Sequence, residues 1–339
     1  PTSSSSIIYE DRSSDDRVWN VNPDNDSVSV FDALFQRKLA EIAVGGSPRS
    51  LAVAPDGRVW VTNKKSATLS IINPSSLKID ATLQLPYQSQ PHGIVFDPNG
   101  SAAFVALEAT GQVLKMSPLD GSVVGVVDVG QDVRHLAIDS QGTSLLVSRF
   151  VTPPVPDEAT AAPNILGVGG QVLVVDTQNM QLVNTVVLQK SDADDGAGQH
   201  NHDNDNGHSE ARGIPNYLGA AAISPDGLSA WVPSKQDNIL RGVYRDGLHL
   251  THDTTLRAVS SKIDLGNSPA LAQEDYSSRV DHDNSAVPSA AVHGRFGNYL
   301  FVALEGSREV RVMDAYGGSE IATIDVGRAP QGLTVSPDG

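Results

Sequence analysis

The 339-residue chain contains no cysteine. Disulfide bonds, thiolate metal sites, a cysteine nucleophile and covalent attachment of c-type haem within this chain are therefore excluded. No apolar run reaches the roughly 18 residues that a membrane-spanning helix needs. Aromatic residues make up only 5% of the chain. The core must therefore be built from Val, Ile, Leu and Ala, and β-branched residues suit β-strands.

Basic residues are also scarce, because 24 Lys and Arg stand against 40 Asp and Glu, which gives a formal net charge of −16. This balance argues against nucleic-acid binding through a basic face and against docking on anionic lipid. It is compatible with metal cations or with a basic partner. The Ser-, Asn- and Asp-rich, cysteine-free composition predicts an exported protein in the periplasm or at the cell surface. The opening PTSSSS is expected to be a mature N-terminus or the edge of an expressed fragment.

One phrase recurs along the chain: a short apolar strand, then (S/D/A)-P-(D/N)-G, then a second apolar strand. Its copies are LAVAPDGRVWVTN at 51–63, GIVFDPNGSAAFVA at 93–106, AAISPDGLSAWVPS at 221–234 and GLTVSPDG at 332–339. The Pro-Asp-Gly segment supplies the turn between the two strands. A period of about 42 residues with four strand-like runs predicts a β-propeller blade.

The predicted fold is an all-β β-propeller of four-stranded antiparallel blades in a single domain, 1–339. The six full blades are expected at about 5–45, 48–86, 91–129, 133–189, 214–265 and 287–327. The segment 329–339 matches only a first strand. It favours a seven-bladed ring, of which six blades and one strand are present, in a chain that continues past residue 339. A six-bladed ring closed by that strand is the alternative.

The run VWVTN at 59–63, between LAVAPDG and LSIINPSSLKIDATLQL, resembles the YVTN-type β-propeller repeat of bacterial and archaeal surface-layer, periplasmic and cell-surface proteins. The resemblance covers nearly the whole chain and implies an exported propeller. A narrower pattern, RGIPNYLGAAAISPDGLSAWVPSKQDNILRG at 212–242, resembles large cell-surface propellers, some of which continue into a haem-bearing, cytochrome-c-peroxidase-like module. Because no CxxCH occurs here, such a module would lie beyond residue 339.

Blades four and five are longer than the repeat. The extra length is expected in three loops, 151–170, 190–213 and 266–287. In an up-and-down blade, the loop between strands two and three and the loop leaving strand four emerge on the same face. The three insertions should therefore crowd one mouth of the central channel, and loops on a rigid scaffold are where binding concentrates.

These insertions carry candidate metal ligands. The first group is Asp192, Asp194, Asp195, His200, His202, Asp203, Asp205 and His208, and the second is Asp281, His282 and Asp283. Carboxylate oxygens suit Ca²⁺, while the histidines suit Cu²⁺, Ni²⁺ or Zn²⁺. The spacing fits no strict template, and a solvated acidic loop is the alternative. The sequence thus predicts a calcium or divalent transition-metal ion as the possible cofactor.

A polar position recurs where each first strand begins. It is occupied by Arg49, His92, Arg134, Asn216, Ser289 and Gln331. Since the first strands of a propeller line the channel, these side chains should form a ring at its mouth. The cationic members could bind a carboxylate or phosphate through charge-assisted hydrogen bonds. Alternatively, they only line a wet channel.

Three functions are compatible with these features. The expected one is a non-catalytic exported binding or scaffold protein whose mouth takes a small anion, a metal ion or another exported protein. The second is a module of, or docking partner for, a c-type cytochrome or peroxidase-like redox enzyme. The third is a propeller lyase or lactonase with His92 as acid or base. No G-x-S-x-G occurs, and no catalytic set stands out, so binding is favoured over catalysis.

If the acidic insertions hold a metal, the purified protein should retain Ca²⁺ or a transition metal after dialysis, because a folded multidentate site releases its ion slowly. Elemental analysis checks this directly. A protein that carries no metal, and whose melting temperature does not change in EDTA, would contradict the prediction.

Overall fold

The computed structural model describes residues 2–153, 169–191, 213–237, 256–282 and 285–338. These residues form six antiparallel sheets arranged in a ring, each with its four main strands side by side in chain order. The fold is therefore an all-β propeller, and its six blades match the six-bladed alternative. Within the described ranges, the one helical element is a 3-10 turn at Pro269–Leu271. No helix there is both long and apolar enough to span a bilayer.

Blades one to three agree with the boundaries expected from the repeat. The strands of blade one are Ile7–Glu10, Arg17–Asn22, Ser27–Asp32 and Arg37–Ala43. Those of blade two are Pro48–Val53, Val59–Asn63, Thr68–Asn73 and Lys78–Gln84. Those of blade three are Pro91–Phe96, Ala103–Leu107, Gln112–Met116 and Val123–Asp128.

Blades four and five contain the longer connections, and blade six is regular again. The strands of blade four are Val133–Ile138, Ser144–Arg149, Gly169–Asp176 and Gln181–Gln189. In blade five the first strand is split into Ile214–Asn216 and Ala222–Ile223, followed by Ser229–Asp237, Leu256–Asp264 and Gln273–Asp281. The strands of blade six are Pro288–His293, Tyr299–Leu304, Glu309–Asp314 and Glu320–Asp325.

Blade five corrects the sequence prediction. The expected end at residue 265 is wrong, because Leu256–Asp264 is the third strand and Gln273–Asp281 is the fourth. The sequence predicts a loop over 266–287, where the run QEDYSSRVD has almost no apolar residues. The outermost strand of a blade needs few apolar residues, because much of it faces solvent. Gln273–Asp281 has no fully buried residue. The long connection of blade five therefore lies between its second and third strands.

Apolar packing between consecutive blades forms the core. Five clusters of buried residues fill the contacts between blades one and two, two and three, three and four, four and five, and five and six. Trp19, Trp60 and Trp231, each at most 1% exposed, lie in three of these contacts. Alternation along each strand sends successive side chains to the two neighbouring blades.

The first residues of the chain cross the channel. Thr2–Ser3 pairs with the first strand of blade four, and the Leu136 amide donates to Ser4 Oγ at 2.9 Å. Ser5 then accepts a hydrogen bond from the Leu51 amide in blade two, and Ser6 accepts one from Val21 in blade one. We call Thr2–Ser6 the N-terminal segment. Its small polar residues satisfy the inner strands without filling the channel.

The last described residues join blade six to blade one. The segment 329–336 forms no strand, so the predicted seventh first strand at 329–339 is not observed within 329–338. Ser289 Oγ of blade six donates to the Pro330 carbonyl at 2.7 Å, and the Tyr9 amide of blade one donates to Thr334 Oγ1 at 3.2 Å. We call 329–336 the closing segment. Among the described residues, hydrogen bonds of this segment join blades six and one, and no buried apolar cluster does.

Gly93 lies at a close approach of blade three to blade four. A Cβ atom at this position would lie 2.4 Å from the Arg134 carbonyl oxygen and 3.0 Å from Ser4 Oγ. We expect Gly93→Ala to lower the free energy of unfolding by about 1–3 kcal/mol, because backbone must move to relieve the clash.

Denaturant unfolding measures this loss. Gly327→Ala is the matched control, since nothing lies within 4 Å of a Cβ placed there. Equal stability of the two variants would show that blades three and four do not approach this closely.

Candidate functional site

A cavity of about 670 Å³ lies at the mouth of the channel, at the end where first strands begin and second strands end. Its floor is formed by Ser4, Ser5 and Ser6 of the N-terminal segment, and the closing segment contributes one wall. A cavity of roughly 300–1,000 Å³ is large enough to enclose an organic ligand.

Two rings of side chains surround this mouth. The first ring comes from the starts of the first strands and includes Arg49, His92, Arg134 and Ser289, together with Gln331 of the closing segment. The second ring consists of the residues that directly follow the second strands of blades one, two, three, four and six: Pro23, Lys64, Glu108, Phe150 and Glu305. Neighbouring blades therefore meet at the mouth through pairs of residues, one from each ring.

Glu108 is the central carboxylate of the cationic side. It accepts hydrogen bonds from Lys64 Nζ of blade two at 2.7 Å and from Arg134 Nη2 of blade four at 3.0 Å. Burial alone would raise the pKa of Glu108, but the hydrogen bonds from Lys64 and Arg134 outweigh it and hold the pKa below its ordinary value. Burial also lowers the pKa of Lys64, with Glu108 opposing this effect. One carboxylate thus compensates two cations from different blades.

Arg49 differs from Arg134 because it has no ion pair or hydrogen bond to any described residue, and its Nε is buried without a partner. His92 beside it is 8% exposed, and its Nδ1 also lacks a partner. Burial, followed by the neighbouring His135, Arg134, Lys64 and Arg49, lowers the pKa of His92 well below its ordinary value. The cavity therefore offers a free guanidinium next to a neutral imidazole.

A stack of alternating contacts continues the rim from blade four to blade five. The Arg134 Cζ lies 3.4 Å from the centre of the Phe150 ring. Phe150 stacks on Tyr217, with ring centres 4.4 Å apart and planes 16° apart, and Lys235 Nζ lies 3.8 Å from the centre of the Tyr217 ring. Cation–π and stacking contacts of this kind are directional. They fix the orientation of Arg134 while its guanidinium also binds Glu108.

The structure brings five of the six predicted mouth residues to the cavity wall: Arg49, His92, Arg134, Ser289 and Gln331. Asn216 is the exception. Its Nδ2 donates to Asp237 at 2.8 Å, and its Oδ1 accepts from the Thr152 amide at 2.9 Å. Asn216 thus supports the rim beside Tyr217, because the split first strand of blade five turns its side chain away from the channel.

The sequence analysis did not identify Lys64, Glu108, His135, Phe150 or Tyr217. Three of these, Lys64, Glu108 and Phe150, belong to the second ring, which recurs in phase with the strands. The identical runs FVALE at 104–108 and 301–305 end in two of its carboxylates, Glu108 and Glu305. Glu305 accepts a hydrogen bond from Gln331 at 3.0 Å. In both copies the carboxylate therefore binds the first-ring residue that follows it along the chain, Arg134 or Gln331.

Most of the predicted metal ligands, namely Asp192, Asp194, Asp195, His200, His202, Asp203, Asp205, His208 and Asp283, lie outside the described residues. The exceptions are Asp281 and His282. His282 is 1% exposed, and its Nε2 lies 2.8 Å from Ser260 Oγ, while an Asp281 oxygen lies 3.6 Å from Arg257 Nε. Across the described part of the chain, no cluster of three or more metal-ligating side chains occurs. The metal site therefore stays a prediction.

The long connections of blades four and five leave from this same mouth. Ser191 and Gly213 exchange backbone hydrogen bonds of 2.8 and 3.0 Å, which pins the two ends of the 190–213 insertion together. Arg149 ends the second strand of blade four, and Asp237 ends that of blade five. By their position in the blades, these attachment points surround the rim of the cavity.

Buried histidines make the stability of the propeller dependent on pH. Burial, with Arg134 nearby, lowers the pKa of His135 to about 4, and burial lowers that of His282 to about 3. An unfolded histidine titrates near 6.5. Between these values the unfolded chain binds more protons, so stability is complete above about pH 6.5 and falls as the pH is lowered.

We expect the free energy of unfolding to decrease by about 1.4 kcal/mol per pH unit for each such histidine below pH ~6. Denaturant unfolding at pH 5, 6 and 7 measures this slope. His135→Gln should reduce the dependence of the free energy of unfolding on pH by the contribution of one histidine, about 1.4 kcal/mol per pH unit. This holds whatever the effect of the substitution on stability at pH 7. An unchanged slope in the variant would contradict the assignment of a buried, neutral His135.

Comparison with known proteins identifies the fold. No model of a known protein family matches the chain, and no curated protein matches it. A solved chain of hydrazine synthase from Kuenenia stuttgartiensis is similar over 98% of this chain and 89% of its own, with a TM-score of 0.76 and 17% identity.

Two further solved structures are similar. A 6-phosphogluconolactonase-like protein from Bacteroides uniformis covers 95% of this chain and 85% of its own, at a TM-score of 0.63 and 15% identity. The Swd1 β-propeller domain from Myceliophteria thermophila covers 98% and 90%, at 0.61 and 11%. At such low identities the likeness shows the fold alone. The chain is therefore a β-propeller, and its resemblance to the YVTN-type family stays a prediction.

Proposed function

We propose that this propeller is a non-catalytic exported binding protein that holds a small anion in the cavity at the channel mouth. The observation that carries the proposal is the uncompensated guanidinium of Arg49 in a largely enclosed cavity. Elsewhere at this mouth, cations are matched, since Lys64 and Arg134 share Glu108. A partly buried cation without a partner is costly unless a ligand supplies the opposite charge.

The electrostatic setting supports an anion over a cation. The chain as a whole carries a net charge of −16, whereas blades two to four bring three cations, Arg49, Lys64 and Arg134, to this mouth, and of these Glu108 binds only Lys64 and Arg134. The neutral imidazole of His92 offers one donor and one acceptor to a ligand bound at Arg49. Charge-assisted hydrogen bonds from these groups would fix the anion. Export is inferred from composition and from the YVTN resemblance.

Arg49→Ala should weaken binding of inorganic phosphate and of citrate, measured by calorimetry, by about tenfold to a hundredfold, as expected for the loss of a charged hydrogen bond. Arg37→Ala is the matched control, because Arg37 starts the fourth strand of blade one at the opposite end and its side chain is 67% exposed. Equal affinities for both variants, or no binding to the wild-type protein, would reject the proposal.

A second candidate is a propeller that serves as a module of, or docks on, a redox enzyme, for which the structural likeness to a hydrazine synthase chain is the supporting observation. A lactonase is a third possibility, supported by the likeness to a 6-phosphogluconolactonase-like propeller. If the wild-type protein hydrolyses a lactone and His92→Gln does not, the cavity is a catalytic site and not a binding site.

A further inference from the structure

The cavity has two chemically different sides. Blades two, three and four contribute its cationic and hydrogen-bonding groups, Arg49, His92 and Arg134. Blades five and six and the closing segment contribute the apolar groups Leu218, Val287 and Pro330, together with Ser289, Gln331 and the Glu305 carboxylate that Gln331 binds. The cations of the cavity wall are confined to one side, because the corresponding positions of blade six and the closing segment hold the uncharged Ser289 and Gln331.

The volume of the cavity is too large for a simple ion. At about 670 Å³, it would enclose inorganic phosphate or acetate together with many waters, which would lie against the apolar side. Water forms no hydrogen bonds with an apolar wall, whereas burying an apolar group of a ligand against that wall lowers the free energy. The dimensions and lining therefore fit an anion with an apolar body better than a bare anion.

Val287 supplies an independent observation. Its φ angle is +53°, and it is the only β-branched residue among the described non-glycine residues with positive φ. Corresponding positions before the first strands of blades two, three and four hold Ser47, Gln90 and Asp132, also with positive φ. A β-branched side chain is especially strained in this conformation. Blade six thus accepts strain at a position where its side chain forms part of the apolar wall.

From these observations we infer that the ligand is an amphiphilic monocarboxylate, with its carboxylate on Arg49 and His92 and its hydrocarbon or aryl body against Leu218, Val287 and Pro330. The inference rests on the proposed anion site and names its ligand class. One charge is expected because, of the two arginines that line the cavity, Arg134 is paired with Glu108 and Arg49 is not paired with any described residue. His92 lines the same cavity, and its imidazole can hydrogen bond to the same head group.

Calorimetric titrations with octanoate, acetate and 1-octanol separate the contributions of head and body. Octanoate should bind more tightly than acetate, with the affinity rising up to about fourfold per added methylene group as apolar surface is buried. 1-Octanol should bind at least tenfold more weakly than octanoate, because it lacks the charge. Arg49→Ala should remove most of the difference between octanoate and 1-octanol.

Val287→Asn tests the apolar wall. Asn adopts positive φ with less strain than Val, so the melting temperature should rise while octanoate affinity falls several-fold and acetate affinity stays unchanged. Gln88→Asn is the matched control, because Gln88 also has a positive φ, of 59°, and does not line the cavity. It should leave the affinity for octanoate unchanged.

The outcomes distinguish this inference from the proposed function. Binding of acetate, phosphate and octanoate with equal affinity, all dependent on Arg49, would overturn the amphiphile and leave the anion site standing. Octanoate affinity that is unaffected in Val287→Asn would also overturn it. Absence of any anion binding that depends on Arg49 would overturn both.

Discussion

The packing of apolar blade faces against one another is the constraint on which the rest of the molecule depends. From blade one to blade six, each blade shares a cluster of buried Val, Ile, Leu, Ala or Trp side chains with the next blade along the chain. Once these faces are aligned, the first strands stand around one axis and all begin at the same end. The chemistry of the mouth is then decided by which residue occupies one repeated position in each blade, and no local sequence motif needs to encode it.

Charge compensation between neighbouring blades shapes the mouth. Glu108 follows the second strand of blade three, yet it binds Arg134 at the start of blade four and Lys64 at the end of the second strand of blade two. Each partner is held by apolar packing that is independent of the ion pairs, so little additional ordering is needed to form them. The same geometry leaves Arg49 without a carboxylate, because no acidic residue occupies the corresponding position beside it. The anion site that we propose depends on this one cation of the cavity wall that no described carboxylate compensates.

The repeat predicted the fold and the first ring, because both follow from strand periodicity and from the phase of the Pro-Asp-Gly turns. The second ring is equally periodic, since each member directly follows a second strand. Lys64, Glu108 and Phe150 share no chemical property, however, so the sequence alone does not show that they occupy equivalent positions. The fourth strand of blade five was missed since an exposed outer strand does not need alternating apolar residues. The pairing of Thr2–Ser3 with blade four could not be predicted, because serines carry no strand signal and the partner lies more than a hundred residues away.

Backbone strain separates structural from functional demands at the mouth. A left-handed residue precedes the first strands of blades two, three, four and six, and in the first three it is the polar Ser47, Gln90 or Asp132, which adopts this conformation at modest cost. Val287 occupies the same conformation with a side chain poorly suited to it. Packing within the blade does not account for this choice, because Val287 is only half-buried and lines the cavity. The strain at Val287 lowers stability, but the side chain adds apolar surface to a ligand-sized cavity. This combination is expected where ligand binding, and not folding, determines which residue occupies a position.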